Sequence, residues 1–441
     1  MTRRPWAGRA AFRRLLCSGV IAICGAGLPC LVGCGLGQPL RDRVLLIGID
    51  GATMRIARPL IEQGRLPNLG RLSREGVADV LRSARPIESP RIWNTIATGK
   101  QPAKHGILSF AHDGPDGRPL LYLSTDRQVH ALWNIASDAG LTVGVVNWWN
   151  TYPPERIQGV MVSDHLLASE IEERQRMTQA EELPIRPLVY PQSWHRRLMR
   201  LVRESGPLTR IVNPFDRSEG FPHWVRAAIG TLSRKYWEDG LVTRIALETE
   251  EELEPDLLMV FLAGIDRVSH HLWGMVEPPE SYPPELRASE SERRTGAAAL
   301  RSYYEYTDAL IGLLMERYGP EDLILVVSDH GFEAGVEMMV LTGVHESEAA
   351  LDGVIFARGR GIEAGKAPGP VSVEDVTPTI LAWLGLPIAQ DMDGRPAGFL
   401  RAAPPETIAT YDTTPVERIS QAASGSEQRI IEQLQALGYL E

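Results

Sequence analysis

The chain has 441 residues, 44% of them hydrophobic and 23% charged, enough to bury a large core in one elaborated domain or in two or three smaller ones. Its formal net charge of −10 excludes a general nucleic-acid binder, because phosphate backbones are held by a basic field that this composition does not supply. All 4 cysteines (Cys17, Cys24, Cys30 and Cys34) lie near the N-terminus, so a metal site in the body must be built from His, Asp, Glu and hydroxyls.

The chain opens with the basic stretch MTRRPWAGRAAFRR, followed by an uncharged, largely apolar run between Arg14 and Arg41. That order is the pattern of an export signal. The run contains Leu31-Val32-Gly33-Cys34, which resembles the bacterial lipobox, where cleavage precedes a cysteine that is then lipidated. The expectation is a signal peptide over 1–33, a lipidated Cys34, a linker over 34–42, and an exported protein anchored to the membrane by its lipid. A single uncleaved anchor is the alternative, weakened by Pro29 and the many glycines.

From Val44 onward the pattern is α/β. RVLLIGID is a short apolar run ending in an acid, as expected of a buried parallel strand. IARPLIEQGRLPNLGRLSREG predicts a helix interrupted around Gly64–Pro67. Further strand-like runs are LTVGVVNWW, DLLMVFLAGID, EDLILVVSDHG and DGVIFARG; helical stretches include LRSYYEYTDALIGLLMERYG and VEDVTPTILAWLGLP. Alternation of this kind predicts a mainly parallel sheet flanked by helices on both faces. Residues from about 160 to 250 are more charged and carry Trp194, Trp224 and Trp237 on helical-looking stretches, which predicts an inserted helical cap. The catalytic domain is placed at 43–405. Residues 406–441 are read as a tail ending in a short amphipathic helix, which either packs on the body or meets a partner.

Candidate chemistry gathers just after the predicted strands, where open α/β sheets place their sites. Asp50 ends the first strand. Asp266 follows LLMVFLAGI, with His270 four residues on, a spacing that puts both on one helical face. Asp329 and His330 end the LILVVS strand, and His345 follows in LTGVHESE. Singly, Asp50 reads as a turn residue, Asp329-His330-Gly331 as a helix cap and His345 as a loop histidine. Together, three aspartates and three histidines suffice for two divalent ions. Between the first two strands lies PIESPRIWNTIATGKQPAKHGILSF, where Ser89 is either a nucleophile or a helix cap, with Thr95 and Thr98 as competing hydroxyls.

VLLIGIDG, SPRIWNTIATGKQPAKHGI, GIDRVSHHLW, VVSDHGF and DVTPTILAWLGLPIAQDMDGR resemble the alkaline phosphatase superfamily, and within it the type I phosphodiesterase/nucleotide pyrophosphatase family and its bacterial relatives. The resemblance covers roughly 43–160 and 255–400 and implies an alkaline-phosphatase-like fold. It implies one metal held by Asp266, His270 and His345, and a second by Asp50, Asp329 and His330 with the Ser89 oxygen. It makes Ser89 the nucleophile, ten residues before the glycine of Thr98-Gly99, in a phosphoric ester hydrolase that works through a phospho-enzyme. Three histidines without cysteine favour zinc.

Three departures bear on the substrate. Phe110 stands where nucleotide pyrophosphatases carry an asparagine that touches a phosphoryl oxygen. Pro90, directly after Ser89, breaks the sulfatase modification motif. Lys100, shared with sulfatases, either helps bind the substrate anion or is a solvated helix residue. His105 reads as structural. The alternatives are a phospho-group transferase, a sulfatase-like hydrolase, or a non-catalytic surface lipoprotein that keeps the fold. Oligomeric state leaves no trace in the sequence.

Overall fold

The computed structural model describes residues 42–115, 117–167, 188–204, 206–337, 340–366, 369–403, 405–418 and 427–435. The expected signal peptide, linker and lipidated Cys34 lie outside the described residues. No helix among the described residues is long and apolar enough to cross a membrane.

The frame is a nine-stranded sheet. Its strands in chain order are β1 (Val44–Ile49), β2 (Val77–Arg82), β3 (Val143–Val146), β4 (Gly159–Val162), β5 (Val189–Tyr190), β6 (Leu257–Leu262), β7 (Leu323–Val327), β8 (Asp352–Arg358) and β9 (Val371–Ser372). They lie in the order β9-β2-β8-β7-β1-β6-β3-β4-β5. The central run from β7 to β4 is parallel, while β8 runs antiparallel to both its neighbours and β5 antiparallel to β4. The chain is therefore an α/β protein with a mainly parallel sheet.

β1 shows why. Every residue of VLLIGI is buried, and the pleat sends them alternately to the two faces. Leu45, Ile47 and Ile49 join the core shared with helices α1 (Met54–Glu62), α2 (Pro67–Glu75), α5 (His195–Glu204), α6 (His223–Leu253), α7 (Gly264–Leu272) and α8 (Glu290–Met315). Val44 and Leu46 join the opposite core, shared with α3 (Ser89–Thr98), α4 (Leu132–Asp138) and α9 (Val376–Leu384). Each such side chain, fully buried, stabilises the fold by about 1.5–3 kcal/mol, so a polar substitution in β1 would strike one layer or the other according to the face it occupies.

The 160–250 stretch differs from the expected cap. Val160–Val162 and Val189–Tyr190 are strands of the central sheet, because their apolar runs complete its edge. α6 lies in the helical layer, with Val225, Leu232, Tyr236, Val242 and Ile245 in the same core as β1. The strand predicted over LTVGVVNWW stops at Val146, since Asn147 and Asn150 both take left-handed backbone conformations. The tail is also tied in. Thr407–Ile408 pairs in parallel with Ile388–Ala389, and Arg418 donates to the carbonyls of Ser124 and Arg127. The terminal helix α10 (Glu427–Gln435) packs on the body, with Ile431 and Leu434 buried against Phe110 and Leu121.

Candidate active site

α3 presents Ser89 at its first turn, directly after Glu88. The first N–H groups of a helix have no acceptor within it, and Pro90 contributes none, so the free amides of this turn and the helix dipole favour an anion at Ser89. The helix is held rigidly by Trp93, which lies edge-on to Trp148 at 5.1 Å and to Phe261 at 4.8 Å. Gly48 makes the fit possible, because a Cβ there would come within 2.6 Å of the Trp93 ring. Thr95 and Thr98, the rival hydroxyls, donate to the carbonyls of Arg91 and Asn94 one turn back and serve the helix itself.

Asp50, Asp266, His270, Asp329, His330 and His345 are all buried, at 5% exposure or less. Two overlapping groups place their ligand atoms within 4.8 Å of one another: Asp266, His270 and His345, and Asp50, Asp266 and His330. Asp266 belongs to both, beyond the single set the sequence suggested, and Asp329 Oδ2 lies 3.6 Å from His330 Nε2. The predicted i, i+4 pairing on α7 holds, with Asp266 Oδ1 3.4 Å from His270 Nε2.

The polar accounting of this cluster is unusual. Asp50 Oδ1, Asp266 Oδ1, Asp329 Oδ2 and His330 Nε2 are buried without a hydrogen-bond partner. Buried polar atoms are otherwise nearly always satisfied, so converging orphans of this kind mark a place for a cation. The histidines are oriented to suit: the Nδ1 of His270 lies 2.9 Å from the Gly343 carbonyl and that of His330 2.9 Å from the Gly331 carbonyl. An Nδ1–H donated to a carbonyl leaves Nε2 as the lone-pair nitrogen facing the carboxylates, the usual outer support of a metal-ligating imidazole.

Electrostatics agree. Burial raises Asp329 well above the usual carboxylate range, and the neighbouring Asp50 charge raises it further. Burial works against a charge on His330, yet Asp329, Asp50 and Asp266 outweigh it and push the imidazole up to about 10. His345 moves well below its ordinary value, through burial first and then the neighbouring His330 and His270, which keeps its imidazole neutral. A cluster that must gather protons to offset its carboxylates is one that dications would fill, releasing those protons.

Two supports of the site carried no sequence signature. Asp239, mid-helix in α6, accepts from the Ala263 and Gly264 amides at 3.2 and 3.1 Å and from the Tyr303 hydroxyl at 3.0 Å, fixing the start of α7 and with it Asp266. Gly264 has no room for a side chain, since a Cβ would meet Tyr303 Oη at 1.8 Å. Ser328 accepts from the Ala52 amide at 2.8 Å and donates to the His330 carbonyl at 3.1 Å, joining the ends of β1 and β7. An acid on the apolar side of α6, among Tyr236, Val242 and Thr243, was the available sign of Asp239.

Lys100 is corrected. It follows the far end of α3, about 15 Å from Ser89 at 1.5 Å per residue. It is buried there in ion pairs of 2.6 Å with both Asp391 and Asp412, so it neither binds substrate nor faces solvent. His105 is structural as expected: the Ile107 amide donates to its Nδ1, and its Nε2 sits 3.1 Å from Thr95 Oγ1.

The family model for type I phosphodiesterase/nucleotide pyrophosphatase matches residues 44–368, and the chain belongs to that family. Its family is the one described as type I phosphodiesterase / nucleotide pyrophosphatase, and the chain spans 58% of the length of the phosphonoacetate hydrolase it also resembles. Among solved structures it is similar to wild-type alkaline phosphatase PafA, at 11% identity and TM-score 0.52, over 82% of this chain and 99% of that one. A putative sulfatase from Bacteroides thetaiotaomicron matches at 13% identity and TM-score 0.50, over 80% and 73% of the two chains. Phosphonoacetate hydrolase from Sinorhizobium meliloti, in complex with phosphonoformate, matches at 18% identity and TM-score 0.41; 68% of this chain covers 58% of that one. At these identities the likeness concerns the fold. No curated protein matches the chain.

Proposed function

We propose that the protein hydrolyses phosphoric esters through a covalent intermediate on Ser89, with two divalent ions, zinc by ligand type, held by Asp266, His270 and His345 and by Asp50, Asp329 and His330. The observation that carries this reading is the convergence of four unpartnered buried atoms on Asp50, Asp266, Asp329 and His330. Bound ions would favour the alkoxide of Ser89 and offset charge on the phosphoryl group. Ser89 Oγ attacks phosphorus, and the bond to the leaving oxygen breaks with its electron pair. The first-turn amides of α3 hold the phosphoryl oxygens during this step. Water then cleaves the Ser89 Oγ–phosphorus bond and frees the serine.

Phosphodiesters are the favoured substrates. Water as the acceptor is favoured over an alcohol, a sulfatase-like reaction is disfavoured by Pro90, and a catalytically silent surface protein by retention of the full ligand set. Ser89→Ala should lower turnover of chromogenic phosphate esters by about a thousandfold or more. Activity that survives both Ser89→Ala and exhaustive chelation would sink the reading. Cys34 lipidation, with export and membrane anchoring, remains part of the proposal. It rests on the Leu31–Cys34 pattern, and a Cys34→Ser chain still retained in the membrane fraction would refute it.

A further inference from the structure

Two hollows flank Ser89. One is lined by Glu88, His270, His345, Arg85 and Glu346 together with Ile87 and Phe110, mixing charged and apolar groups. The other includes Pro90, the residue after Ser89, and also touches Ala263 and Arg267, which flank Asp266 in sequence. Phe110 forms part of the wall of both. The second hollow has a volume of about 120 Å³ and is walled by Leu121, Trp149, Phe261 and Val242. Several of its charged lining groups are engaged within the fold: Lys235 pairs with Glu238, Asp164 accepts from the Asn150 amide, Asp239 is engaged by α7 and Tyr303, and Arg267 lies 3.8 Å from the Asp266 carboxylate, on the side of the phosphoryl group. What is left to meet a ligand is mainly apolar and aromatic.

The last wall comes from the end of the chain. Ile430 and Leu434 of α10 line this hollow, while Ile431 and Leu434 pack on Phe110 and Leu121. The chain is tied to the body as far as Arg418, with Asp412 accepting from the His130 amide and Arg418 donating to the carbonyls of Ser124 and Arg127. The amphipathic C-terminal helix is thus packed at the site, not merely on the body.

We propose that α10 is a specificity-determining wall of the active site. Through Leu434, Ile430 and Phe110 it selects phosphodiesters whose retained substituent is a compact apolar or aryl group. This rests on the phosphodiester reading above. The space is on the order of the ~150 Å³ cavity that accepts a benzene ring, and the groups facing it offer apolar contact in place of the amide that Phe110 replaces. A nucleoside is larger than this space and would set its hydroxyls and base edges against the Leu121, Trp149, Phe261 and Leu434 walls, losing hydrogen bonds to water there.

The test uses the full-length, metal-loaded protein and three diesters with a common p-nitrophenolate leaving group: the methyl, phenyl and thymidine-5′ p-nitrophenyl phosphates. A common leaving group isolates the retained substituent. The phenyl ester is expected to exceed the methyl ester in kcat/KM by about tenfold or more, the discrimination one well-filled apolar pocket supplies, and the thymidine ester is not. Leu434→Arg, and independently Ile430→Asp, should collapse the phenyl-to-methyl ratio by about fivefold or more, mainly through KM. A ratio unchanged in both variants, or thymidine as the best substituent, overturns the proposal. Failure of all three diesters with the wild-type protein would instead overturn the reading beneath it.

Discussion

The two ends of α3, about 15 Å apart, are opposites. At the far end the buried cation is paired: Lys100 sits between Asp391 and Asp412, His130 lies 3.1 Å from the same Asp412, and of these carboxylates only Asp391 Oδ1 is left without a hydrogen bond among the described residues. Burial would raise Asp412, but His130 and Lys100 hold it below the usual carboxylate range. At the Ser89 end the nearby carboxylates are more deeply buried, and four of the cluster's atoms have no hydrogen-bond partner at all. Buried charge with partners is architecture; buried charge without them is stability given up for binding and catalysis.

The largest effect that would sharpen this contrast comes from changing a carboxyl whose oxygen has no hydrogen-bond partner among the described residues. Asp329→Asn should lower kcat/KM by well over the ~100-fold that loss of an outer-shell metal partner costs. The same change should raise the thermal midpoint of the metal-free protein, because it removes an acid that burial, and then the neighbouring Asp50, hold well above its ordinary range. Calorimetry with and without metal reads this directly. A metal-free protein that is destabilised would break the comparison.

Asp239→Ala should come next. It strands the Ala263 and Gly264 amides and the Tyr303 hydroxyl, each stranded buried group costing about 1–3 kcal/mol, and it loosens the helix that carries Asp266 and His270. Metal affinity should weaken along with stability. Burial raises the Asp239 carboxyl to about 7, against an ordinary value of 3.8. Its contribution to stability is therefore complete below pH 3.8 and lost as pH rises through about 7. Asp239→Asn should flatten that loss in pH-dependent denaturation.

The smallest effects should come from the far end. Lys100→Met should cost about 1–3 kcal/mol of stability, since Asp391 and Asp412 keep partial access to water, and leave kcat/KM within about twofold. Burial lowers His105 from 6.5 to about 3, with Arg127 and Arg91 adding to the shift. Its neutral form supports the fold fully above pH 6.5, and that support is lost as pH falls toward 3; His105→Phe should remove this acid-side slope. A large catalytic defect in Lys100→Met would restore it to the active site.

How much of this was legible depended on whether a residue acts through its neighbours in sequence or across the fold. Asp50, Asp266, Asp329 and His330 follow or lie close to apolar runs that can only be buried strands, and His270 shares a helix turn with Asp266, so local pattern located them. Ser89 is proposed from its distance to Thr98-Gly99. Lys100 was misplaced because its partners lie 291 and 312 residues away, a separation no local motif encodes. Asp239 was missed for the same reason, as its acceptor role becomes visible only once α6 crosses the start of α7. The cap was over-read because the two strands it contains are only four and two residues long, too short for alternation to register.

The central claim is that the hydroxyl at the unsatisfied end of α3 becomes covalently attached to phosphorus. Acid quenching of the metal-loaded enzyme during turnover of a p-nitrophenyl phosphodiester, followed by peptide mass spectrometry, measures this directly. The account predicts a phosphoryl adduct on Ser89, absent from Ser89→Ala. An adduct on Thr95 or Thr98, or full turnover by Ser89→Ala, would contradict it.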